Sequence, residues 1–335
     1  MKYVEVGGAR MSAIGLGTWQ FGSREWGYGA EYADKTAREI TIRALDLGIT
    51  LIDTAEAYGF GRSERTLGAT LEETGRRDEA FLATKIFPAM PLAPILEGRA
   101  KASAKRLRTD VIDLYQVHWP NPIVPDTQAM TGMRRVVDSG LVRHAGVSNY
   151  SLDRWQGAEA AFGGPILSNQ VSFSLIERGP LKHLVPFAQE RGRAIIAYSP
   201  LAQGVLGGKY DAQTRPIGVA RRMNPLFLAE NLERAEPLID ALRQIAKSHQ
   251  CKPAQVALAW LIRMPNVVAI PGASSVEQVE FNAAAAEVDL TDGEATQLLD
   301  AAERFEPVGG AARARGLAES AVGLVRERLG LGSER

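Results

Sequence analysis

Thr50-Leu51-Ile52-Asp53-Thr54-Ala55-Glu56-Ala57-Tyr58-Gly59 opens as a short apolar run, ends that run on a carboxylate, and continues into a loop with an aromatic hydroxyl. Two runs of the same kind follow at regular distance. Ala80-Phe81-Leu82-Ala83-Thr84-Lys85 ends on an ammonium 32 residues after Asp53, and the run Val111–His118 ends on an imidazole 33 residues after Lys85. Such a spacing is the length of one strand plus one returning helix. The three side chains therefore fall at equivalent ends of three consecutive strands.

Further strands are expected outward from this stretch at Ala13–Gly17, Val142–Val147, Leu167–Ser172, Ala194–Ser199 and Val267–Pro271. Amphipathic segments separate them. Thr36–Leu47 places Ile40, Ala44 and Leu47 on one stripe before Gly48, Leu67 and Leu71 stand four apart within Ser63–Glu73, and Pro253 is suited to a first helical position. Most strand starts lie about 24–35 residues apart, and alternating β and α segments imply parallel strands with right-handed crossovers. Eight such units predict an α/β fold, a closed (β/α)8 TIM barrel. A doubly wound open sheet is the alternative, but Gly15-Leu16-Gly17-Thr18-Trp19-Gln20 lacks the third glycine of its dinucleotide fingerprint. The barrel is expected to occupy residues 1–305 as a single domain, and residues 306–335 to form a C-terminal extension with Leu317, Ala321, Leu324, Val325 and Leu329 on one face. The stretch from Pro200 to about Asn231 is too long for a structureless connector and reads as functional.

Among the 335 residues, Lys plus Arg and Asp plus Glu number 39 each, so the formal charge is zero. With no long block of like charge, nucleic-acid binding is not expected. Cys251 is the single cysteine, which precludes an intrachain disulfide. No run has the apolar length of a signal peptide or a membrane span, so a cytoplasmic protein with no membrane association is expected.

Barrel enzymes carry their chemistry at the C-terminal ends of the strands, where Asp53, Lys85 and His118 are predicted to lie with Tyr58 folded back over them. The set suits proton transfer coupled to hydride transfer. A carbonyl that accepts hydride becomes an alkoxide and needs a proton. Tyrosine is a weak acid, with an ordinary pKa of about 10. An adjacent ammonium favours the phenolate, so Lys85 is expected to lower the pKa of Tyr58 while Asp53 holds Lys85 charged. His118 can donate to the substrate oxygen and complete an oxyanion site with Tyr58.

Over essentially Met1–Ala302 the chain resembles the aldo-keto reductases. The likeness rests on Gly15-Leu16-Gly17-Thr18-Trp19, Asp53 to Gly59, Thr84-Lys85, the run Leu114–His118, Gly146-Val147-Ser148-Asn149, Ser199-Pro200-Leu201 and Ile270-Pro271-Gly272, in that order. It implies that Tyr58 is the general acid and that Asp53, Lys85 and His118 support it, and it assigns Gly17, Thr18, Trp19 and Asp53 to the cofactor site as well. Ser148, Asn149 and Gln170 are placed to grip a carboxamide, and Tyr198 offers a ring for nicotinamide stacking. Ser199, Pro200, Leu201, Gln203, Gly204 and Lys209 belong to a glycine-rich loop similar to the cofactor-covering loop of the branch that includes potassium-channel β subunits and bacterial stress-type reductases. There the matching lysine contacts phosphate.

Ser275 and Gln278 read as a capping box at a helix start, with Ser274 and backbone amides left for an anion. Resemblance to the channel-subunit branch adds Gly272, Ser274, Gln278 and Asn282 to the cofactor set and implies NADP(H), with NAD(H) possible. Phe281 departs from the glutamate often found there, and Arg221 and Arg222 are further candidate phosphate partners. The substrate is expected to be a small carbonyl compound. Trp19, Trp26, Tyr58, His118 and Trp119 are the expected pocket residues, with Phe21 a candidate wall. A metal-dependent hydrolase is disfavoured because no pair among His118, His144, His183 and His249 has ligand spacing, so no metal site is expected. The second reading is an NADP-binding regulatory barrel with little turnover.

Overall fold

The computed structural model describes residues 1–22, 33–216, 221 and 223–310. They fall into two compact units. The first, Met1–Pro200 with Leu258–Asp289, opens with an antiparallel hairpin of β1 (Tyr3–Val6) and β2 (Ala9–Ser12). Eight parallel strands follow: β3 (Leu16–Gly17), β4 (Leu51–Asp53), β5 (Phe81–Ile86), β6 (Ile112–Val117), β7 (Val142–Ser148), β8 (Ser168–Ser172), β9 (Ala194–Tyr198) and β10 (Val267–Ala269). Between consecutive strands run α1 (Ala33–Asp46), α2 (Arg62–Thr74), α3 (Ala93–Leu107), α4 (Asp126–Asp138), α5 (Leu152–Phe162) and α6 (Pro180–Arg191). The second unit holds α7 (Ala229–Ser248) and α10 (Asp292–Glu303), α8 (Pro253–Ile262) spans the boundary, and α9 (Val276–Ala284) belongs to the first unit. Among the described residues no helix is long and apolar enough to cross a membrane.

Each strand pairs with the next in chain order, and the sheet closes on itself. Gly15 N donates to Ala269 O at 2.7 Å, Gly17 N to Pro271 O at 3.1 Å, and Gly17 bridges Gly272. This is the expected (β/α)8 barrel. All eight expected strands are present, the first and last shortened where the seam is made by isolated bridges. Gly17 is required at that seam, because a Cβ there would stand 2.8 Å from the carbonyl oxygen of Ile270.

The interior is layered by the two-residue period of the strands. Leu51, Ala83, Leu114, Leu167, Ala194, Ile196 and Val268 form one apolar cluster with Val6, Ala9 and Met11 of the hairpin. The hairpin turns on Gly7 and Gly8, both at positive φ (54° and 79°), and packs Val6 and Met11 into the N-terminal end of the barrel. That end is sealed. Along β6 the same alternation that puts Leu114 in this cluster aims Gln116 inward one layer higher and His118 higher still. The inward polar side chains therefore lie toward the opposite, C-terminal ends of the strands.

Replacing Gly17 with Ala is expected to open the seam or distort it, lowering stability by about 1–3 kcal/mol; a urea denaturation midpoint equal to the parent's would show that the seam tolerates a side chain.

Candidate active site

Asp53 is the last residue of β4, Lys85 lies near the end of β5, and His118 follows β6, so three consecutive strands deliver the predicted neighbours to one rim. Lys85 is fully buried, and each of its three N–H groups finds an acceptor. Nζ donates to Asp53 Oδ2 at 2.5 Å, to Thr54 O at 2.8 Å and to Tyr58 Oη at 3.2 Å. An unpaired ion at this depth would cost several kcal/mol. Burial by itself drives the Lys85 pKa down, but the Asp53 carboxylate and the Tyr58 hydroxyl outweigh it and hold the pKa above the ordinary lysine value. Lys85 is therefore an ammonium at neutral pH.

The other oxygen of Asp53 accepts from Gln170 Nε2 at 2.8 Å, with Gln116 Nε2 at 3.5 Å. Gln116 was not among the expected site residues. Its inward direction follows from its place two residues before His118, but an amide inside a strand gives no sequence signal of its own.

The tyrosine loop is pinned on both sides. Thr18 Oγ1 donates to Asp53 O at 2.9 Å and meets Ser63 Oγ at 2.8 Å, and Thr54 Oγ1 donates to Ser63 Oγ at 2.8 Å. Glu56, two residues before Tyr58, accepts from Phe87 N and from Arg99, whose Nε lies 2.9 Å from Glu56 Oε2. Lys85 lowers the pKa of Tyr58, as expected, but burial pushes it up further and the balance stands above 10.0. The expected net depression is thus reversed: Tyr58 is a phenol that keeps its proton at neutral pH.

The His118 ring stacks on Trp119, with centroids 3.8 Å apart and planes at 11°, and meets the Tyr58 ring edge-on at 5.7 Å. Burial, reinforced by the Lys85 charge, lowers its pKa to about 2, so the imidazole is neutral. Its Nδ1 is buried with no hydrogen-bond partner among the described residues.

Around this centre, Ser148 Oγ donates to Gln170 O at 2.9 Å, Asn149 Nδ2 donates to Ser148 Oγ at 3.0 Å, and Tyr198 Oη donates to Asn149 Oδ1 at 2.9 Å. The carboxamide candidates Ser148, Asn149 and Gln170 are therefore neighbours, joined to Tyr198. At the start of α9, Ser275 Oγ accepts from Gln278 N at 3.3 Å, but the Gln278 side chain reaches back to Ser274 rather than closing the box on Ser275. Both Ser274 N and Ser274 Oγ are engaged by Gln278 Oε1, at 2.9 and 3.1 Å, which corrects the expectation that they stay available. Asn282 Nδ2 donates to Gly272 O at 3.3 Å, and the Gln20 amide covers Gly272 so closely that a Cβ there would come within 1.9 Å of it.

Ser199 and Pro200 end the first segment of the first unit, while Leu201, Gln203, Gly204 and Lys209 lie in the second. There Gln203 and Gly204 take positive φ (56° and 106°), and Arg221 Nε donates to Gln203 O at 3.1 Å. Trp19 and Trp119 are 43% and 42% exposed at their strand ends. Phe87, 43% exposed and edge-on to Trp119 at 5.8 Å, is a third aromatic of this kind, absent from the expected set. Phe21 is buried and serves packing. Trp26, Arg222 and the apolar face of the C-terminal extension lie outside the described residues. Among the described residues no group of three or more His, Cys, Asp or Glu side chains could hold a metal ion.

A sequence profile described as "Aldo/keto reductase family" matches residues 13–303. The chain belongs to the aldo/keto reductase family. This family member is 58% identical over 309 residues to an uncharacterized oxidoreductase of Mycobacterium tuberculosis, with 92% of this chain and 95% of that protein covered. An aldo-keto reductase of Bacillus subtilis is 36% identical, covering 84% of this chain and 87% of its own length. Among solved structures, an aldo/keto reductase from Klebsiella pneumoniae in complex with NADP and acetate superposes with a TM-score of 0.72 at 31% identity, covering 92% of this chain and 97% of that one.

Because His118 is neutral when folded but has an ordinary pKa of 6.5 when unfolded, its unfolded form binds the proton first. Its stabilising contribution is complete above pH 6.5 and is lost as the pH falls from there toward about 2. Between pH 7.5 and 4.5 this group should cost about 2–3 kcal/mol. Urea unfolding of the parent and of His118→Asn at both pH values measures it: the variant should lose less stability on acidification, and equal losses would contradict a neutral, buried His118.

Proposed function

We propose that this aldo/keto reductase uses NADP(H) to reduce aldehydes or ketones to alcohols, with Tyr58 as general acid. The observation that carries this reading is the line Asp53–Lys85–Tyr58, buried at its first two members and half-buried at the phenol, beside a neutral His118. It holds one transferable proton on the phenol and presents a second possible donor at the same mouth.

The residues present fit a nicotinamide dinucleotide. Gln170 Oε1 accepts no hydrogen bond among the described residues, Ser148 and Asn149 stand beside it, and the Tyr198 ring ends the neighbouring strand. In the proposal these hold and orient the carboxamide end, while Gly17, Thr18 and Trp19 border the same rim. Ser274, Gln278 and Asn282 would hold the 2′-phosphate end, in place of the bonds that now join Ser274 to Gln278. Gln203, Gly204 and Lys209 take their phosphate role from the family resemblance alone. The Klebsiella pneumoniae relative in complex with NADP supports the choice of cofactor. When bound, the cofactor supplies the hydride.

The chain's own residues do the rest. Tyr58 and His118 hold the carbonyl oxygen by two hydrogen bonds, which matters most as negative charge builds on that oxygen. Tyr58 then passes its proton to the oxygen, and the Lys85 ammonium, 3.2 Å away, stabilises the phenolate left behind. Asp53 keeps Lys85 charged throughout. A phenol that stays protonated at neutral pH favours the reductive direction. Trp19, Phe87 and Trp119 supply apolar walls for the substituents of the carbonyl compound. A cytoplasmic setting is part of this proposal, since it would keep Cys251 reduced.

Tyr58→Phe should lower kcat for aldehyde reduction by roughly 10²–10⁴-fold while leaving NADPH affinity near the parent value. A panel of aldehydes and ketones run with NADPH and with NADH tests both the chemistry and the cofactor. Binding of NADPH with no carbonyl reduced across the panel would replace this reading with the regulatory barrel.

A further inference from the structure

Gln170 stands at the junction of two groups of residues. Its backbone carbonyl receives the Ser148 hydroxyl, and its side chain belongs to the carboxamide end of the proposed cofactor site. Yet its amide nitrogen donates to Asp53 Oδ1 at 2.8 Å. Asp53 and Gln170 are 1% and 2% exposed, so bulk solvent does not reach that contact. Gln116, at 3.5 Å, is too distant to substitute for it without moving.

From this geometry we infer that Gln170 is a positioning residue for Tyr58, acting through Asp53 and Lys85, in addition to being a cofactor contact. The inference rests on the reading of Tyr58 as the proton donor.

The Asp53 carboxylate is drawn in two directions. Lys85 holds Oδ2 and Gln170 holds Oδ1, and the balance fixes both the rotation of the carboxylate and the share of the ammonium left for Tyr58. Lys85 has three acceptors, of which Tyr58 is the most distant at 3.2 Å. If the Gln170 donor is lost, Oδ1 keeps only the long contact from Gln116 at 3.5 Å, and the carboxylate is free to turn further onto Lys85. Lys85 is then withdrawn from its weakest partner, the phenol. The groups that face Tyr58 are Lys85 from β5, Asp53 from β4, His118 after β6 and Tyr198 at the end of β9. His118 is neutral and Tyr198 a phenol, so Lys85 and Asp53 are the charges that Gln170 can rebalance. The line also runs in reverse: a carboxamide bound at Gln170 Oε1 would polarise the amide and strengthen its donation to Asp53. The structure thereby connects the cofactor's reactive end to the proton donor through one side chain.

The test is carbon NMR of the full chain with [13Cζ]tyrosine, because that carbon reports the hydrogen bonding of the phenol oxygen without any turnover. Tyr58→Phe assigns the Tyr58 resonance, and Lys85→Met sets its position when the ammonium is gone. Gln170→Met, close in shape, should move the Tyr58 resonance toward the Lys85→Met position, and at saturating NADPH its kcat should fall roughly tenfold. Gln170→Glu is the second variant: it keeps the side-chain length but places a carboxyl against Asp53, and it should displace the resonance as well. Should both leave the Tyr58 resonance where the parent has it, while NADP+ affinity weakens, Gln170 is a cofactor contact only and the inference falls. A parent protein that reduces no carbonyl compound would instead count against the proposed function, since the resonance is read without catalysis.

Discussion

A lysine ammonium with no exposed surface must be fully paired, and the site is organised around meeting that requirement for Lys85. Its three donors are spent on a carboxylate, a backbone carbonyl and a phenol, contributed by the end of β4 and the loop that follows it. Removing one partner of such a buried pair typically costs about 3–5 kcal/mol, which fixes the geometry tightly. The position of Tyr58 follows from it, because the phenol is the third acceptor. So does the inward layer of amides, because the second oxygen of Asp53 also needs donors. The hydroxyls of Thr18, Thr54 and Ser63 and the Glu56–Arg99 pair then hold the loop from outside.

The barrel supplies the conditions under which this pairing has chemical consequences. Its N-terminal end is sealed by an apolar hairpin, and its middle carries the paired polar side chains. Its open end carries Trp19, Phe87 and Trp119, each more than two-fifths exposed. Burial of the centre strengthens the Lys85–Asp53 attraction, keeps His118 uncharged and raises the cost of ionising Tyr58. A single environment thus gives three titratable groups distinct protonation states: a charged lysine, a neutral histidine and a protonated tyrosine. That separation is what a carbonyl reductase needs at its proton-delivering side.

Much of this was legible in the chain itself. The eight strands follow from β-branched and apolar runs repeated at the length of one βα unit, and the convergence of Asp53, Lys85 and His118 follows from their ends lying one unit apart. What escaped the sequence has identifiable physical reasons. Gly7-Gly8 between Val6 and Ala9 is a hairpin signal, but the flanking strands are four residues each and overlap in pattern with an ordinary leader to the first barrel strand. Gln116 and Phe87 carry no motif, and their importance depends on which way a strand faces. The net rise in the pKa of Tyr58 depends on depth of burial, which adjacency to a lysine does not reveal. Ser274 was expected to be available because the reach of Gln278 back to a residue four positions earlier competes with the capping box and cannot be told from it in sequence.

In the proposed reaction, hydride reaches a carbonyl carbon while Tyr58 supplies the proton. The most direct measurement is the fate of isotope from NADPH dideuterated at C4 of the nicotinamide, with an aldehyde or ketone that the protein consumes. One deuterium is expected on the carbinol carbon of the alcohol, with a hydroxyl proton drawn from solvent and a primary isotope effect on the reductive rate. Alcohol whose carbinol carbon carries only solvent hydrogen would contradict that reaction.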